Sequence, residues 1–166
     1  MGGAFVNKED KIKKVNNFIN IKNRRGNMVI NELRKGMVLT NNQIMKVFGC
    51  SGQGGMRRSY RTNSLVLVSN HTKSIYSDRW VGDVFHYTGM GQSGDQSLQF
   101  AQNRTLNESR YNGISVYLFE VFQQKKYTYI GEVELADKPY SEVQLDSDKK
   151  ERKVFIFPLK LKEENR

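Results

Sequence analysis

The chain has 166 residues, enough for one domain with a real core, and its 37% apolar and 11% aromatic content argues against a disordered polymer. The formal net charge of +10 is uneven, because residues 1–61 hold 13 Lys/Arg against 3 Asp/Glu while residues 62–166 hold 14 of each. Such a basic half is either a solvated face or a surface for a polyanion, since clustered cations gain affinity by releasing condensed counterions. No stretch approaches the ~18 consecutive apolar residues that a membrane helix needs. Cys50 is the sole cysteine, which excludes an internal disulfide. With no apolar leader in Met1–Lys14, the expectation is a cytoplasmic protein without a membrane partner.

In chain order, residues 1–27 read as a basic extension. Ile12, Val15, Phe18 and Ile19 share one face of a short predicted helix, and Asn23–Asn27 is a polar loop. Residues 28–166 then read as one domain of mostly short strands. Gln43–Phe48 is strand-like and runs into Gly49–Arg58, where four glycines in ten residues predict a flexible loop. Ser64–Ser69 is a strand apolar on both faces, hence internal. Gly82–Gly89 is another strand, ending in a second glycine-rich loop, Gly89–Gly94.

Asp95 is placed as the N-cap of a helix running to about Ser109, with Leu98, Ala101 and Leu106 inward and Asn112-Gly113 as its stop. Ile114–Phe122 and Tyr127–Leu135 predict a hairpin across Gln123–Lys126. Lys138–Arg152 reads as polar loop. Val154–Pro158 is a last strand, expected near an edge because proline removes a ladder donor. The fold class expected is α+β, mainly β: a curved sheet or barrel with one central helix and a short N-terminal helix.

An ordered series of residues then carries a resemblance. Arg58-Ser59, Ser64–Leu67, Tyr76-Ser77-Asp78, Gly82, Tyr87–Gly91, Asp95–Leu98, Asn103–Leu106 and Asn112-Gly113 stand in the order seen in the SRA (YDG) domain, a PUA-like reader of 5-methylcytosine. His86–Gly91 with Gly94–Gln96 is similar to the bacterial branch, in which the domain is commonly joined to an HNH nuclease. The resemblance implies that Tyr76 and Tyr87 stack on a flipped base, that Asp78 takes its exocyclic amine, and that Thr88, Gly89 and Met90 complete the pocket. Only eight positions separate Tyr87 from Asp95, so the longer insertion of the eukaryotic branch is missing, and with it the element that reads the pairing partner.

The residue types suit that chemistry on their own terms. Extracting a base costs a few kcal/mol of stacking and pairing, which two aromatic faces and a paired Watson–Crick edge offset. A carboxylate accepts from cytosine's amine, where thymine or uracil presents a carbonyl. In the loop Gly49–Arg58, Gln53 or Met56 is a candidate to fill the space left in the duplex, and Arg57, Arg58 and Arg61 are candidates for phosphates. The alternative is a mobile loop with incidental arginines.

Asp95 reads as a cap rather than a pocket acid, His86 as packed opposite Tyr87, and Trp80 as core rather than a stacking platform. His71 and His86 are too few for an HNH metal site, no Cys/His spacing fits zinc, and no Gly-Lys-Ser/Thr closes a phosphate loop. No cofactor and no catalytic residue is therefore expected in this chain. The partner expected is double-stranded DNA with 5-methyl- or 5-hydroxymethylcytosine, with a nuclease domain in a longer chain. Two other classes stay open: a PUA-like RNA-binding module, and an enzyme acting on the flipped base.

Overall fold

Strands rich in β-branched and aromatic residues, spread from Val38 to Leu161, assemble into one large sheet. The computed structural model describes residues 26–73 and 76–163, so the helix predicted around residues 12–19 lies outside the described residues. The strands are β1 (Val38–Leu39), β2 (Met56–Ser59), β3 (Ser64–Asn70), β4 (Arg79–Val81), β5 (Val84–Thr88), β6 (Ser115–Gln123), β7 (Lys126–Leu135), β8 (Tyr140–Leu145) and β9 (Glu151–Leu161). Two α-helices, α1 (Asn41–Phe48) and α2 (Ala101–Asn107), and a 3-10 turn at Ile30–Glu32 complete the described elements.

The sheet runs in the order β2-β3-β6-β7-β9-β5-β4, with β1 added to β7 and β8 to β9. It is curved and unclosed, so β3 and β5 are not ladder partners. Their side chains nevertheless meet, because the Tyr87 hydroxyl on β5 lies 3.4 Å from the Val68 carbonyl on β3. The sheet thus curls until its two ends face one another across a seam. Among the described residues only β3 and β6 pair in parallel, Ser64 opposite Ser115 through Asn70 opposite Val121.

Strand alternation divides the core in two. Leu65 and Leu67 of β3 join Val116, Leu118, Phe85, Tyr87, Phe157 and Leu159 inside the curl, where Leu106 of α2 closes the group. Val66 and Val68 point the other way, to Phe119, Val121, Tyr129 and the inner face of α1. This accounts for the unbroken apolar run of β3: both of its faces are covered, each large side chain contributing about 1.5–3 kcal/mol on burial.

Four sequence expectations are corrected. Gln43–Phe48 is helix, not strand. Thr40 accepts from the Gln43 N–H at 3.2 Å while the Gln43 side chain accepts from the Thr40 N–H at 2.8 Å, a reciprocal cap that starts α1. Ile44, Val47 and Phe48 then fall on one buried face at helical spacing, and Gly49 ends the helix in the left-handed region at φ 69°. Asp95 caps no helix, since α2 begins only at Ala101; its carboxylate accepts from the Lys153 N–H at 2.8 Å and ties the loop to β9.

Lys138–Arg152 is not all loop. It contains β8, which has polar residues on both faces because it is an outer strand pairing with β9 alone. Pro158 lies well inside the sheet rather than at an edge. It sits opposite His86, in the gap where β9 has left β8 at Ile156 and meets β7 only from Leu159, and its carbonyl accepts from the Ala136 N–H. The missing donor therefore interrupts no ladder.

Because α1 depends on its cap, Thr40→Ala should lower stability by about 1 kcal/mol. A urea titration of the two proteins measures this; an unchanged midpoint would show that packing alone holds the helix.

Candidate functional site

At the seam the strands stop pairing, and polar groups take over from backbone hydrogen bonds. Asp78 precedes β4 and bridges the two sides: one carboxylate oxygen accepts from the Ser69 hydroxyl of β3 at 2.7 Å, the other from the Thr88 N–H of β5 at 2.7 Å. Burial raises its pKa above the ordinary carboxylate range, with the Ser69 and Thr88 hydrogen bonds opposing that shift. Next to it opens a cavity of about 420 Å³, within the range of small-molecule sites. Tyr76, Asp78 and Tyr87 line it together with Gly52–Gly55, Arg57 and Tyr127.

The two tyrosines differ. Tyr87 is buried, its ring packed in the inner core and its hydroxyl donating to the Gly55 carbonyl at 2.7 Å. Burial first, then the charge of Asp78, pushes its pKa well above the ordinary tyrosine value. It is a wall of the cavity and stays a neutral donor. Tyr76 is half-buried, with its hydroxyl 3.5 Å from the Gly91 carbonyl; burial raises its pKa and the nearby Arg152 opposes the rise.

The remaining sequence candidates divide between the cavity and its frame. Thr88 and Gly89 do not line the cavity, and their N–H groups are engaged, Thr88 with Asp78 and Gly89 with the Phe155 carbonyl. Met90 sits behind, both of its backbone groups paired with the buried Asn103 amide. Gln53 is exposed and lines the cavity mouth. Met56 is not a groove residue at all: it is core, paired with Leu67 in the β2–β3 ladder.

The three arginines all serve the backbone. Arg57 is 5% exposed and donates to the Gly54 carbonyl and to the Asn41 side chain. Arg58 donates to the Ser59 and Ser64 carbonyls and lies over the Tyr60 ring. Arg61 donates to the Lys46 carbonyl in the last turn of α1. Trp80 is 38% exposed, with its indole N–H donating to the buried Glu120. His86 is paired with the Tyr140 hydroxyl at 2.8 Å, on the opposite face of β5 from Tyr87.

Several contributors were assigned no role from the sequence, although Gln96 and Asn103 stand within the ordered series. Ser69 is indistinguishable in sequence from any strand serine. Gln96 and Asn103 are buried amides that satisfy the carbonyls of Gly89, Gly91 and Met90, shaping the second glycine loop from beneath. Tyr127 stands 5.7 Å beneath the Arg57 guanidinium, and only the register of β7 brings it there. Among the described residues, no group of three His, Cys, Asp or Glu side chains is placed to hold a metal ion, and no helix is long and apolar enough to cross a membrane.

The curled, open sheet is the fold of the solved SRA domains. A family profile describing ScoMcrA-like SRA domains matches residues 35–163, and the chain belongs to that family. No curated protein matches the sequence. Among solved structures, the sulfur-binding and SRA domains of ScoMcrA complexed with phosphorothioated DNA superpose with a TM-score of 0.64 at 20% identity, covering 78% of this chain and 40% of that one. The type IV phosphorothioation-dependent restriction endonuclease ScoMcrA gives 0.62 at 20% identity, covering 77% and 28%. The SUVH5 SRA domain with fully methylated CG DNA gives 0.59 at 22% identity, covering 82% and 94%. The chain thus spans well under half of the ScoMcrA chains it resembles.

A carboxyl whose native pKa is raised contributes stability below its unfolded pKa and loses that contribution as pH rises through the native value. Asp78→Asn keeps an acceptor for Thr88 and cannot ionise. Its stability relative to wild type should therefore rise from acid toward neutral pH, then level off. Denaturation midpoints from pH 3 to 8 test this, and a flat difference would show that Asp78 is not strained by burial.

Proposed function

We propose that the chain reads duplex DNA carrying a modified cytosine, 5-methyl or 5-hydroxymethyl, by drawing the base into the cavity of Tyr76, Asp78 and Tyr87. The observation that carries this reading is Asp78. A carboxylate offers about four acceptor sites, and the two hydrogen bonds from Ser69 and Thr88 leave capacity at the cavity for a further donor. Cytosine's exocyclic amine is such a donor; the carbonyl of thymine is not. Thr88, Gly89 and Met90 act behind the pocket as its frame, and Gln53 enters the duplex, a role its exposure beside the cavity supports.

The likeness to SRA domains solved with phosphorothioated and with methylated DNA supports a modified-DNA ligand. The likeness to ScoMcrA supports a role as the recognition module, residues 28–166, of a modification-dependent restriction endonuclease with its nuclease elsewhere in a longer chain. Residues 1–27 add positive charge for the phosphates. Of the three arginines, Arg58 and Arg61 remain the candidates for backbone contacts, because Arg57 is buried.

Fluorescence polarisation on matched duplexes should show tighter binding to modified than to unmodified DNA, with structured RNA competing poorly. Tyr76→Ala removes a stacking face worth about 1–3 kcal/mol, so selective affinity should fall roughly ten- to a hundredfold. Asp78→Ala should abolish discrimination while leaving nonspecific binding in place. Tyr87→Phe keeps the ring but frees the Gly55 carbonyl from its hydroxyl donor, so selectivity should fall less than in Tyr76→Ala. Equal affinity of the wild type for both duplexes would end this reading, and preferential RNA binding would replace it.

The salt dependence separates the arginines. Each neutralised phosphate adds about −0.9 to the log–log slope. Replacing Arg58 and Arg61 with Gln should flatten the slope by up to about two units, whereas Arg57→Gln should leave it unchanged. A slope that responds to Arg57 alone would reverse the assignment.

A further inference from the structure

The loop Gly52–Gly55 forms one wall of the cavity, and its carbonyls are held from three directions. The Asn41 side-chain amide donates to the Gly52 carbonyl at 2.9 Å, Arg57 Nε to the Gly54 carbonyl at 2.8 Å, and the Tyr87 hydroxyl to the Gly55 carbonyl at 2.7 Å. Asn41 Oδ1 in turn accepts from Arg57 Nη1 at 2.7 Å, which makes the first two restraints one network. Asn41 is the first residue of α1, and the Thr40 cap and the buried Ile44, Val47 and Phe48 fix that helix against the outer core.

The glycines here permit contact rather than motion. A Cβ on Gly52 would lie 2.7 Å from Met45 Sδ, and one on Gly55 3.0 Å from the Tyr87 hydroxyl. Arg57 has no carboxylate partner among the described ion pairs. A buried guanidinium in that position needs neutral acceptors, and the Gly54 carbonyl and Asn41 supply them.

Resting on the reader assignment above, we infer that Asn41 is a positioning residue: through Gly52 and Arg57 it holds the loop so that Gln53, at the cavity mouth, takes the place of the extruded base. Asn41 itself does not line the cavity and touches no base. It acts only by presenting Gln53, and the Tyr87 tie at Gly55 joins the same loop to the pocket wall.

The test uses the full chain and a duplex with one 5-methylcytosine beside a fluorescent base analogue. The ratio of affinities for modified and unmodified duplex and the fluorescence rise on binding are measured for wild type, Asn41→Ala, Gln53→Ala and the double variant. Each single change should lower the ratio roughly three- to tenfold, as expected for loss of one or two hydrogen bonds. The double variant should be no worse than the weaker single, because both remove the same placement. Asn41→Asp, which keeps the Arg57 acceptor, should retain more selectivity than Asn41→Ala.

Losses that multiply in the double variant, or a ratio unmoved by Asn41→Ala, would overturn the inference. Amide exchange in the free protein gives a readout without DNA: Asn41→Ala should speed exchange across Gly52–Gly55 and leave β6 unchanged, and equal rates would remove the latch. A wild type with no preference for the modified duplex overturns the reader assignment and the role of Gln53 with it, while the exchange rates still decide whether Asn41 holds the loop.

Discussion

The structure depends on one carboxylate at an incomplete junction. A sheet that closes satisfies its own edges, but this one stops short, and β3 and β5 face each other without a ladder. Asp78 spans the gap with one oxygen on each side, and the Tyr87 hydroxyl seals it further up against Gly55 and Val68. Leaving the seam unpaired is what makes room for a cavity: the 420 Å³ space is bounded by strand ends and loops that a closed barrel would have filled with side chains. Holding an ionisable group there has an electrostatic penalty, visible as the raised pKa of Asp78, and an apolar filler would avoid it. The hydrogen bonds from the Ser69 hydroxyl and the Thr88 N–H offset part of that penalty.

How much of this was legible in the sequence follows from how local each determinant is. β3, β5 and the β6–β7 hairpin were readable because their apolar pattern and turn are contained in a few consecutive residues. Tyr76, Asp78 and Tyr87 were readable within an ordered series, and the three line one cavity. α1 was misread although its signal was present: Thr40 and Gln43 stand three apart ahead of Ile44, Val47 and Phe48, which is the capping pattern followed by helical spacing. A six-residue window from Gln43 to Phe48 cannot separate the two periods, and only the cap could have decided it.

Other features were not recoverable from local pattern. β8 carries Val143 and Leu145 at 67% and 55% exposure, so no buried face marks it as a strand; its partner β9 alone creates it. Pro158 inside β9 breaks a sound rule only because two neighbouring strands hand over at that residue. Likewise, the buried state of Arg57 rests on Asn41, sixteen positions away, and on Tyr127, seventy positions away. Charge counts treat such an arginine as surface. The excess of cations in the first 61 residues therefore overstates what the described surface presents, since Arg57 is buried.

The glycine loop shows why composition alone misjudges mobility. Four glycines in ten residues suggest a chain free to move, because glycine has the largest backbone freedom to lose. The same missing side chain also lets other groups approach the backbone closely, and that is its use here. Gly52 and Gly55 admit Asn41, Met45 and Tyr87 to distances a Cβ would forbid, and each carbonyl so exposed gains a side-chain donor. Of the loop's glycines, Gly54 at φ +84° is required by its backbone conformation with nothing packed against it. A loop with free carbonyls would lose conformational freedom on contact with a ligand and oppose binding by that entropy. One already restrained by α1 on one side and by β5 on the other has lost that freedom during folding. The helix and the core-bound tyrosine thus hold the loop that carries the exposed Gln53 beside the cavity.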